Sequence, residues 1–86
     1  MDLKIVEEGP GTIALAWRAP LSGGKVAAYR VDCKTPGTET WTQAGMSLAR
    51  GLRLEVQARG VELMFRVTAV NRAGAATPSN SVVAVL

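Results

Sequence analysis

The chain has 86 residues, 48% of them hydrophobic, which is enough for one domain with a single modest core and too little for two. Ten Lys and Arg against seven Asp and Glu give a formal charge of +3, a mild basic balance that falls short of a nucleic-acid footprint. With no histidine and only Cys33 as a thiol, the composition excludes a disulfide scaffold, a Cys/His zinc site and histidine acid–base chemistry.

The first residues, Met1 to Glu8, alternate and carry charge, so they lack the continuous apolar stretch of a signal peptide. No segment reaches the roughly 18 apolar residues that a spanning helix needs. Strand-like residues run from Leu3 to Leu86 with no tails, and the expectation is a domain excised from a larger multidomain chain. A lone cysteine suits either side of a membrane.

Leu3 to Ile5 is the first predicted strand, closed by the turn Gly9-Pro10-Gly11. Ile13, Leu15 and Trp17 then alternate with Ala14, Ala16 and Arg18, which puts one face of a second strand, Trp17 included, into the core. Past Pro20 and Gly23-Gly24, the residues Tyr29, Val31 and Cys33 alternate with Arg30, Asp32 and Lys34. A short edge strand is predicted over Thr40 to Thr42 around Trp41. Leu52, Leu54 and Val56 form the next inward set, and Val61, Leu63, Phe65, Val67 and Ala69 the longest one. Ser81 to Leu86 closes the chain. Met46 to Arg53 has some helical propensity, but Gly51 interrupts it. Seven short strands, each with one apolar face, pack as two antiparallel sheets, so the predicted class is an all-β sandwich.

Two blocks of sequence resemble the fibronectin type III family. Trp17-Arg18-Ala19-Pro20, Gly23-Gly24 and Tyr29-Arg30-Val31 look like its first half. Phe65 to Gly74, read with Pro78-Ser79-Asn80, is similar to its F strand and F–G turn almost residue for residue. The resemblance covers residues 1–86 as a single domain. It implies an immunoglobulin-like β-sandwich of seven antiparallel strands, A-B-E against C′-C-F-G, with no inter-sheet disulfide. One position departs from the family pattern. Leu63 stands where the family usually has a tyrosine that ties the E–F corner, so that hydrogen bond is missing and an unusual turn at Ala58-Arg59-Gly60 is expected.

Chemistry is sparse. Cys33 lacks a histidine to activate it and reads as a buried, inert thiol. Glu7, Glu8, Glu39, Glu55 and Glu62 are scattered, and neither Gly9-Pro10-Gly11 nor Ser22-Gly23-Gly24-Lys25 has phosphate-loop spacing. The expectation is therefore no catalysis, no cofactor and no metal. The F–G turn reads Arg72-Ala73-Gly74, with no RGD tripeptide, and the Trp-Ser repeat of cytokine receptors is missing.

Two candidate partner surfaces remain. One is the loop pair 18–25 and 71–78, with Arg18, Lys25 and Arg72 at the pole where the chain enters. The other is the outer C–F face, where Arg30 and Arg66 form a small basic strip and Met64 and Val70 add exposed apolar area. The functional expectation is a non-catalytic structural spacer or protein-interaction module, monomeric when isolated, in an extracellular or cell-surface protein, the cytoplasm being the alternative. Its expected partners are neighbouring domains of the same chain or another protein, with neither nucleic-acid binding nor membrane insertion. Other readings are a dedicated ligand-binding module built on the two loops, or an accessory domain of a polysaccharide-degrading enzyme or a phage structural protein.

Overall fold

The structure, a computed structural model, describes residues 2–19, 26–35, 37–55, 60–72, 74–75 and 78–85. In chain order the strands are β1 (Lys4–Gly9), β2 (Thr12–Ala16), β3 (Ala28–Lys34), β4 (Thr42–Ser47), β5 (Gly51–Leu54), β6 (Glu62–Asn71), β7 (Gly74–Ala75) and β8 (Val82–Val85). No helix lies among the described residues. β1, β2 and β5 form one antiparallel sheet. β4, β3, β6 and β7 form the second, in which β8 also pairs with β6.

Local chemistry explains the hairpins. Gly9 lies opposite Thr12, which leaves Pro10-Gly11 as a two-residue turn. Proline supplies the fixed negative φ, and Gly11 takes a φ of +70° that a side chain would resist. Between β4 and β5, Ser47 Oγ donates to the Gly51 carbonyl at 2.8 Å, which fastens the corner where the chain changes sheets.

The core lies between the sheets. Ile13, Leu15 and Leu54 come from one side, and Tyr29, Val31, Leu63, Phe65, Val67, Ala69 and Ala84 from the other. Trp17 closes the cluster just past β2, edge-on to Tyr29 with ring centroids 5.4 Å apart. Period-two alternation, not glycine spacing, selects these residues.

Two sequence expectations need correction. The described residues form eight strands where seven were expected, because the last strand is divided. β7 pairs with the end of β6 and β8 with its beginning, and between them Ser79 bonds to Val67 twice. Ser79 N donates to the Val67 carbonyl at 2.8 Å, and Val67 N donates to Ser79 Oγ at 3.0 Å. The edge strand expected around Trp41 begins instead at Thr42 and runs to Ser47. A turn in which Thr38 N donates to the Thr35 carbonyl precedes it, and Trp41, just before the strand, lies against Lys34 and Arg66 on the sheet face. At the E–F corner Leu63 is buried, as the alternation requires. Ala58 and Arg59 lie outside the described residues, while Gly60 takes a φ of +71°.

The approaches to the first and last strands are joined by one side chain. Asn80 Oδ1 accepts from Leu3 N at 2.9 Å, and Asn80 Nδ2 donates to the Leu3 carbonyl at 3.0 Å. This two-pronged bond links the entry of the first sheet to the approach to β8 in the second. From there β1 leads away from Ala16, its register partner at Lys4, and β8 leads toward Glu62, opposite Val85. Entry is thus toward the pole of Trp17 and the β6–β7 turn, and β8 finishes at the other pole.

Candidate interaction surfaces

The outer face of the larger sheet is ordered by register. Met46, Arg30 and Thr68 form one row across β4, β3 and β6, and Lys34, Met64 and Val83 form another across β3, β6 and β8. Between them Asp32 lies opposite Arg66. Its carboxylate is 3.3 Å from Arg30 Nε on one oxygen and 3.5 Å from Arg66 Nε on the other. Although Asp32 points outward, it is only 4% exposed, because the two guanidinium groups lie over it.

The basic strip expected from Arg30 and Arg66 therefore holds a carboxylate at its centre, which cancels part of its field. Arg66 also stacks on Trp41, with Cζ 4.3 Å from the ring centroid, and Lys34 Nζ lies 5.2 Å from the same centroid. These are cation–π distances, and they tie the loop before β4 to the sheet face. The sequence places Trp41 in an edge strand, and periodicity carries no signal of which cations the register brings beside its ring.

Met64 and Val70, expected to add exposed apolar area, are both half-buried. The reason is position: β6 is an interior strand, so Met64 is flanked by Lys34 and Val83, and Val70 by Ala28 and Ala75. The apolar groups that do reach water on this face are Met46 of β4 and, at the other side of the sheet, Val83 at 48% and Val85 at 61% exposure in β8. The signal of the two valines was present in the alternation of Val82 to Val85, where every second residue must face out once Ala84 faces in.

At the entry pole Arg18 and Arg72 are exposed. Arg18 lies 4.0 Å from Asp2, a solvated pair that contributes little. Lys25, with most of the loop 18–25, lies outside the described residues. The loop surface is thus represented by Arg18 at its start and by Arg72 in the β6–β7 turn.

Near the opposite end an open cleft of about 630 Å³ is lined by Cys33, Thr38, Thr42 and Ala44, among others. Cys33 was expected to be largely buried; it is half-buried, next to last in β3. Burial pushes its thiol pKa up, which disfavours the thiolate. Among the described residues no three His, Cys, Asp or Glu side chains converge as metal ligands.

Two antiparallel sheets in the order β1-β2-β5 and β4-β3-β6 with the split last strand define an immunoglobulin-like sandwich. The chain belongs to the fibronectin type III family, whose domain model matches residues 1–85. It is similar to a titin homolog of Caenorhabditis elegans, with 32% identity over 83 residues, which is 94% of this chain and a share of that protein that rounds to 0%. Among solved structures, the twitchin kinase region from C. elegans superposes with a TM-score of 0.89 at 20% identity, covering 96% of this chain and 15% of that one. Titin domains A168–A170 give 0.87 at 23% identity, covering 96% of this chain and 30% of that one. The chain thus spans a small fraction of each of these relatives, which are multidomain proteins.

Proposed function

We propose that the chain is a non-catalytic spacer and protein-interaction module within a larger protein. The observation that carries this reading is the path of the chain: β1 starts toward one pole of the sandwich and β8 finishes at the other. A unit with a 38 Å long axis can then be joined end to end with its neighbours while both sheet faces stay free. The multidomain relatives support the same arrangement. We place the parent protein outside the cell or at its surface, with the cytoplasm as the alternative. A single half-buried thiol of raised pKa would be slow to oxidise there.

The outer face around Arg30, Arg66, Met64 and Val70 and the polar loops with Arg18, Lys25 and Arg72 are the surfaces offered to a partner. The test is amide chemical-shift mapping of two copies joined in tandem. Differences from the isolated unit are expected only at the poles. Perturbation across the faces of β3 and β6 would mean that neighbours pack side by side and would defeat the spacer reading.

A further inference from the structure

Sheet edges are open rows of backbone donors and acceptors, and folds protect them with charge, bulges or very short strands. Of the edges here, β1 carries Lys4, Glu7 and Glu8 and a register irregularity between Ile5 and Glu7. The pairing of β4 with β3 has an irregularity between Val31 and Asp32. β5 has Arg53 exposed among its four residues, and β7 is two residues long. β8 is different. It reads Val-Val-Ala-Val, pairs with β6 in unbroken register, and has neither charge, proline nor bulge. Its two outward side chains, Val83 and Val85, are exposed beside the half-buried Met64.

We infer that the free edge of β8 is a strand-addition site, taking one extended segment of a partner protein with alternating β-branched residues and no charge in its central positions. Backbone bonds to β8 would supply the affinity, and side chains set beside Val83 and Val85 the selectivity. A second copy fits less well. Four residues make an edge of about 13 Å, and two rigid sandwiches meeting there bury far less than the roughly 1,200 Å² of a stable interface. A single flexible strand can follow the edge and also close over the valines and Met64. The inference stands apart from the spacer reading, since a spacer needs no open edge.

The probe is a blocked heptapeptide of alternating valine and threonine, titrated into the 15N-labelled 86-residue chain. Saturable shifts are expected in the amides of Val82–Val85 and of Met64, with slowed exchange of the β8 amides that point away from β6. The double variant Val83→Lys, Val85→Lys changes exposed positions only and should melt like wild type while binding at least tenfold more weakly. Val6→Lys, on the charged β1 edge, should bind unchanged. Shifts mapping to β1 or β4, binding insensitive to the double variant, or no shift at millimolar peptide would each overturn the inference. So would saturable, concentration-dependent shifts of the β8 amides without peptide, which would give the edge to a second copy.

Discussion

At the scale of single residues, position in the ladder and local burial determine what each polar group can do. Cys33 faces the core near the end of its strand, and burial raises its pKa, so at a given pH less thiolate is present than in a free peptide. Native protein near pH 8 should therefore react with a thiol reagent more slowly than the unfolded chain. The two rates should converge as pH rises and the folded-state thiol ionises. Equal rates at pH 8 would mean a fully exposed thiol. Asp32 is a different case, a nearly buried carboxylate held between Arg30 and Arg66. Asp32→Asn leaves two guanidinium groups facing each other without a counter-charge. It should cost about 1–3 kcal/mol, less than a fully buried triad because both arginines reach water. Chemical denaturation measures this, and an unchanged midpoint would show the triad to be energetically idle.

At the scale of elements, β6 is the spine of the larger sheet, pairing with β3 on one side and with β7 and β8 on the other. Leu63 begins the inward series of β6 opposite Ala84 of β8. Leu63→Ala should cost roughly 2–5 kcal/mol as a core deletion, and an unchanged melting temperature would place it outside the core. Asn80 makes both of its bonds to one residue, Leu3, across the two sheets. Asn80→Ala strands a part-buried amide and carbonyl and should cost about 1–3 kcal/mol. The Leu3 amide should then exchange with solvent much faster while β3 and β6 stay protected. Uniform loss of protection would mean that the bond holds the whole fold and not the entry strand alone.

The strand faces of β2, β3 and β6 were legible because alternation has one solution when one face is buried. Leu63, Trp17 and the Phe65 series follow from it directly. What alternation does not encode is the neighbour across the sheet. Asp32 reads as an exposed charge until the register brings Arg66 opposite, and Met64 reads as exposed until β8 is seen to flank it. Trp41 escaped for a related reason. It lies outside any strand, and its position is set by cations contributed from two different strands. The split of the last strand depends on one serine bonding to Val67 and leaves no periodic mark in the sequence.

At the scale of the whole molecule, the sandwich is an elongated body, 38 × 25 × 18 Å, whose chain enters toward one pole and whose last described strand finishes at the other. That geometry gives the module its proposed role: a unit that transmits direction along a chain and presents its faces and the β8 edge sideways. The most direct measurement is small-angle scattering of two copies joined in tandem. End-to-end joining predicts a maximum dimension near twice the 38 Å long axis of one unit. A maximum dimension little greater than one long axis would show the copies folded back side by side and would contradict the account.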